Sequence, residues 1–398
     1  MASLIPAGDQ HGYEVRAVGA RSLVVAAGVL LAVCSLNLPA ENAASSAALS
    51  AGRSSSADIP PLGTQIGEPL KGHTSSVLAL AVGKRSDGTP VVVSGSFDKT
   101  IRIWNLDTGK PIGKPLKGHR QEVASLAISK RSDGTPVIIS GGEEDSTVRI
   151  WNLDTGKPLG KPIVSERDIM WGVATERLRD GTPVVAATAG GIRSVVGLWN
   201  LNTGKHIKRS FTEIFTTTTD LATGKRKDGT PLVVTANTEG RTRIWSLETG
   251  KPLSKPLFSC DQCQARALAG GKRSDGTPVA VSANTDFPLP DEDTPDGKIW
   301  TYNLNTGKPI GKSIKIPATQ FADIAVGQRG DGSPVIVYGD DSGNASVWDL
   351  DTGTAAGEPF AAHSGTIFAV AAGKRSDGTP VLVTGGSDKT VQVWSLGP

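Results

Sequence analysis

Two short stretches of this chain carry residues whose types and spacing could do chemistry. The first is Cys260-Asp-Gln-Cys263, a single CxxC. Thiols at that spacing can close a local disulfide, act as a redox pair, or supply half of a zinc site. The zinc reading lacks a second cysteine pair or nearby histidines, and the redox reading lacks the strand and helix alternation in which such motifs work. A loop disulfide or two free thiols is what the context favours. The second stretch is the acidic run Asp291, Glu292, Asp293 and Asp296. Crowded carboxylates suit calcium, but the spacing fits no calcium loop well, so a solvated acidic loop is the plainer reading. No metal and no cofactor is expected. No phosphate loop, nucleophile elbow or catalytic carboxylate pair rises above background.

These stretches sit in a chain organised by repetition. The Asp-Gly hairpin of the phrase GKRSDGTP recurs at Asp87, Asp133, Asp180, Asp228, Asp275, Asp331 and Asp377, a period of about 46 residues stretched once, between Asp275 and Asp331. An aromatic runs in step at Trp104, Trp151, Trp199, Trp245, Tyr302, Trp348 and Trp394. A strand-rich repeat of this length reads as a β-propeller, in which each unit is too small to bury its own hydrophobic face and must stack on its neighbours.

Within one copy, Val77 to Val82 form a first strand and Asp87-Gly88 a two-residue hairpin turn. Val91 to Ser94 form a second strand, with Pro90 at its first residue, where a missing amide donor is tolerated. Ile101 to Leu106 alternate around Trp104 as a third strand, and Pro111 to Leu116 form an outer fourth, where proline and lysine suit an exposed edge. The predicted fold is therefore all-β: seven four-stranded antiparallel blades.

The order Gly72, His73, Asp98, Trp104 resembles the WD-repeat propellers of the G-protein β-subunit type, and the likeness covers roughly residues 60 to 398. Gly118, His119, Asp145 and Trp151 repeat it, as do His363, Asp388 and Trp394. The resemblance implies hydrogen-bonded tetrads of histidine, strand hydroxyl, turn aspartate and indole. These are His73, Ser94, Asp98, Trp104; His119, Ser140, Asp145, Trp151; and His363, Thr384, Asp388, Trp394. Such histidines are structural, which leaves only His11 and His206 of the chain's five. The middle copies depart from the pattern, with Glu166 in place of histidine in the third, Ile214 and Glu239 in the fourth, and Pro317 and Ser342 in the sixth. The last copy stops after its third strand, and residues Gln65 to Leu70 are expected to complete it, so that an N-terminal strand closes the ring.

Ahead of the propeller, Arg16 and Arg21 precede an apolar run from Leu23 to Val33, and an Ala/Ser-rich tract follows. Residues 1–38 read as a signal peptide or membrane anchor and 39–59 as a flexible linker; Leu31 to Cys34 resemble a lipoprotein processing site, with Cys34 as the lipidated residue. With a net charge of +3, and no basic run interleaved with aromatics, nucleic acid is not an expected partner. The turns carrying Lys84, Arg85, Lys110 and Lys114 are mildly basic, which leaves an anionic envelope or membrane surface as a candidate contact. The expected function is that of a monomeric, non-catalytic scaffold, exported or membrane-tethered, which presents loops to a protein or peptide. The fifth copy, with Cys260, Cys263, Asp291, Glu292 and Asp293, is the first candidate surface. The alternatives are a cytoplasmic signalling scaffold and a cofactor-binding, quinoprotein-like propeller. The second is disfavoured because GKPIGKPL after LDTGK contains no aromatic. The blade sequences also look like repeats from high-GC Gram-positive bacteria.

Overall fold

The computed structural model describes residues 33–35, 59–142, 145–164, 170–189, 193–214, 217–258, 263–286, 297–316 and 321–398. Seven antiparallel sheets follow one another in chain order. Blade 1 consists of Val77–Lys84, Pro90–Ser96, Thr100–Asn105 and Leu116–Lys117, from innermost to outermost strand. Blades 2 to 6 begin at Val123, Met170, Thr218, Cys263 and Phe321. Blade 7 contains Ile367–Lys374, Pro380–Gly386 and Thr390–Ser395, and its outer strand is Leu70–Lys71 from the start of the chain. An N-terminal strand thus closes the ring. The amides of Gly63 and Ile66 donate to the carbonyls of Ser395 and Val393, at 3.0 and 2.8 Å, and Ser395 returns a bond to Thr64 at 2.8 Å.

The second strand of each blade is apolar on both faces because each sheet is sandwiched between two others. Pro90–Ser96 is buried throughout, and so are its counterparts Pro334–Asp340 and Pro380–Gly386. The core accordingly lies between blades. Val77, Leu80, Val92, Trp104 and Leu106 of blade 1 pack on Val381, Val383, Val391 and Val393 of blade 7, with Leu70 in the same cluster. Equivalent clusters fill the other junctions.

Two strand expectations need correction. The outer strand is not continuous from Pro111 to Leu116: it touches its neighbour at a single bridge between Pro111 and Trp104, then pairs again only at Leu116–Lys117. Pro111 and Pro115 have no N–H to give to a ladder, and Gly113 turns the chain between them at φ 72°. The hairpin is not a two-residue type I′ turn, which needs positive φ at both central residues, because Asp87 does not have it. Instead Gly88 N donates to Arg85 O at 3.1 Å, Arg85 N donates to Thr89 O at 3.0 Å, and only Gly88 enters the left-handed region. Asp87 Oδ1 caps the turn by accepting from Thr89 N at 2.9 Å.

Of the leader, Val33–Ser35 is seen as a short strand paired in parallel with Ser125–Ala127 of blade 2's inner strand. Among the described residues no helix is long and apolar enough to cross a membrane.

Candidate functional site

Three blades bring a histidine, a hydroxyl, a carboxylate and an indole together. In blade 1, His73 Nδ1 stands 2.9 Å from Asp98 Oδ2 and His73 Nε2 stands 2.8 Å from Ser94 Oγ. Trp104 Nε1 donates to the same Ser94 Oγ at 2.9 Å. Because the indole can only donate, Ser94 accepts from it and turns its own proton to His73 Nε2. The imidazole therefore carries its proton on Nδ1, which donates to Asp98. Blade 2 repeats the arrangement with His119, Asp145, Ser140 and Trp151 at 2.7 to 2.9 Å. Blade 7 does so with His363, Asp388, Thr384 and Trp394 at 2.8 to 3.0 Å.

The connectivity carboxylate, imidazole, hydroxyl is also that of a nucleophilic triad, so access decides what it can do. Ser94 and Ser140 are completely buried, and each hydroxyl already accepts an indole N–H. A substrate carbonyl cannot approach such an oxygen in this conformation, and the set serves as a buried, satisfied network. Burial alone would push the Asp98 carboxyl up. The hydrogen bonds from His73, Thr100 and Thr74 outweigh it and hold the group well below the usual carboxylate range; Asp145 behaves alike. The His363 imidazole is shifted down, burial exceeding the pull of Asp388.

The glycine of each Gly-His pair has its own cause. A Cβ on Gly72 would lie 2.6 Å from Arg102 Nη1 and 3.2 Å from the Trp104 ring, and one on Gly118 would meet Trp151 at 2.9 Å and Arg149 Nη1 at 3.0 Å. In blade 7 the arginine position is Gln392, and the glycine position is Ala362.

The family model described as WD domain, G-beta repeat matches residues 63–105, 109–152 and 357–395. Three blades are WD repeats. The three matched segments hold the three complete tetrads, and the seven-bladed ring in which they stand supports a WD-repeat propeller family for the chain. Among curated proteins, none matches the chain.

Between the WD blades 2 and 7 the network is rewired. Blade 4 keeps the indole bond, Trp245 Nε1 to Thr235 Oγ1 at 3.0 Å, and Asn237 caps the turn by accepting from the amides of Glu239 and Arg241. Glu239 is not inward-facing; it pairs with Arg241 at 3.2 Å near the surface. In blade 6, Asp340 caps the turn by accepting from Ser342 N and Asn344 N. His206 is exposed, with its ring 5.3 Å from that of Trp199. Cys263 is buried and disulfide-bonded. Cys260, Asp291, Glu292, Asp293, Asp296, Glu166, Pro317 and His11 lie outside the described residues, and of Cys34 only the backbone is described. Among the described residues no group of three His, Cys, Asp or Glu could hold a metal.

Two functions of charge were not read from the sequence. The arginine before each hairpin turn reaches the next blade. Arg85 Nη2 donates to Asp154 O at 2.9 Å, Arg273 Nε to Asp351 Oδ1 at 2.9 Å, and Arg375 Nη2 to Asp107 O across the ring closure at 2.7 Å. Arg131 likewise bonds Asn202 and Arg226 bonds Leu304. In blade 3 the position is Leu178, and the amide of Arg179 takes over by donating to Glu248 at 2.7 Å. The charges that suggested a basic turn surface are thus largely committed to holding blades together. Asp220 and Asp323 are fully buried at equivalent places on the inner strands of blades 4 and 6, where a bulge breaks the register. Asp220 accepts from Leu268 N of blade 5 at 2.6 Å, and Asp323 from Val370 N of blade 7 at 2.8 Å. In blade 2, Ser125 fills the same role toward Val173 N at 2.9 Å. The sequence signal was a lone aspartate inside an apolar strand, which only a buried acceptor role explains.

Proposed function

We propose that the protein is a non-catalytic interaction scaffold, exported or membrane-tethered, whose loops around the ring engage a protein or peptide partner. What carries this reading is the commitment of its chemistry-bearing side chains. The histidines of the WD blades, their hydroxyls and their aspartates are spent on one another, and the hairpin arginines on neighbouring blades. What remains free is surface, held rigid by a closed ring, and that suits recognition.

Export is supported by the order of Arg16, Arg21, the apolar run from Leu23 to Val33 and the Ala/Ser tract, and by the disulfide at Cys263, a bond that persists in oxidising compartments. The scaffold reading is tested by selecting binders for the purified full chain from a random peptide display library. A reproducible motif with saturable binding is expected; no enrichment over blank support would overturn it. The location is tested by mass spectrometry of the native N-terminus. A start near Glu41 outside the cell, or a lipid-modified Cys34 in the membrane, is expected, whereas a soluble cytoplasmic product starting beyond the apolar run would remove the export reading.

A further inference from the structure

A cleft of about 470 Å³ opens beside the first tetrad, between blade 1 and the loop leading into blade 2. Thr74, Thr100, Lys99, Arg102 and Lys117 line it together with Asp98. Its charge is one-sided. The single acid, Asp98, is occupied from within, its oxygens accepting from His73, from the amides of Thr74 and Thr100, and from the Thr100 hydroxyl. Lys99 bonds only a neutral group, Gln121 Oε1 at 2.9 Å, and Lys117 and Arg102 have no ion pair among the described residues. Arg102 Nε is buried without a hydrogen-bond partner. Its guanidinium is fixed against Gly72 and lies 6.0 Å from the centre of the Trp104 ring.

Two further observations set this cleft apart from its counterparts. Lys99 stands in the left-handed region at φ 68°, the turn position that blades 4 and 6 give to Gly240 and Gly343. A lysine is kept where glycine is the easier residue. In blade 2 the corresponding places hold Ser146 and Val164, so the concentration of cations belongs to blade 1. Phe97, on the same turn as Lys99, is 47% exposed and adds an apolar contact at the rim.

We propose that this cleft is a binding site for the carboxylates of an acidic peptide segment. Arg102 would take one carboxylate in the planar, two-pronged manner its fixed guanidinium favours, with Lys99 and Lys117 flanking it and Phe97 offering a place for an apolar neighbour. Complementary charge selects such a segment against basic or neutral ones. The site rests on the scaffold reading and gives it a ligand class.

The test is fluorescence anisotropy of a labelled hexaglutamate peptide with the full chain. The variants are Lys99→Gly with Lys117→Gln, which removes two cations and also relieves the strained turn, and Arg102→Gln, the residue blade 7 already tolerates at Gln392. Saturable binding is expected, weakened by about tenfold or more in each variant. Lys110→Gln with Lys157→Gln, on the turns at the other end of the strands, should bind as the parent does. Equal binding by all variants, or none by the parent, would overturn the site, as would displacement by inorganic phosphate at the peptide's own dissociation constant. If display selection yields a motif indifferent to Lys99 and Lys117, the site fails while the scaffold reading stands; if it yields no motif, the scaffold reading fails.

Discussion

Arg102 Nη1 lies so close to Gly72 that a Cβ on the glycine would come within 2.6 Å of it. The glycine of the first Gly-His pair is therefore set by its neighbour's bulk and not by its own backbone angles, since Gly72 is not among the positive-φ glycines. Blade 7, with Ala362 and Gln392 at the two positions, shows the same chain solving the contact the other way.

Gly72→Ala should cost about 1 to 3 kcal/mol, the range for overfilling a packed site. Adding Arg102→Gln should return a good part of that, giving a coupling energy of about 1 kcal/mol in a double-mutant cycle by urea unfolding. Additive effects would show that the two positions are independent.

Ser94→Ala removes the acceptor of the Trp104 indole and the partner of His73 Nε2, both buried. A loss of about 2 to 4 kcal/mol is expected, since two orphaned groups result. Thr235→Ala in blade 4 orphans only the Trp245 indole and should cost about half as much, so the pair of melting shifts measures how much the complete tetrad adds.

Removing residues 60 to 70 takes away the Gln65 bridge to Trp394, the bonds of Gly63 and Ile66 to the last strand, and the buried Leu70. Aggregated or unfolded protein is expected, because the third strand of blade 7 is left as an unpaired edge. A soluble monomer with unchanged melting would show that the ring does not need this strand.

Burial pushes the carboxyls of Asp220 and Asp323 well above their ordinary value, and Asp220 adds repulsion at Asp323. A group raised on folding contributes stability that is full below the unfolded carboxylate pKa and lost as pH rises through the folded one. His363 is shifted the other way: its contribution is full above the ordinary imidazole pKa of 6.5 and lost as pH falls through its depressed folded value. Melting followed from pH 4 to 8 should therefore show the parent losing more stability than Asp220→Asn/Asp323→Asn as pH rises. Parallel profiles would show that the two aspartates do not titrate in this window.

The sequence by itself determined the blade count, the three complete tetrads and the closing strand. Each depends on a pattern that recurs at a fixed spacing, and the same local chemistry repeated at a constant interval leaves little freedom for another architecture. The hairpin was legible as a turn but not in its type, because Asp-Gly fits several turns and the bond from Gly88 to Arg85 chose among them. Tertiary structure alone decided where the charges go. Arg375 and Asp107 are 268 residues apart and meet only when the ring closes. Asp220 looked like a misplaced acid until Leu268 of the next blade presented an amide that its own bulged sheet had left unpaired. Those contacts run between blades, and a repeat read one copy at a time contains no information about which neighbour will face it or at what height.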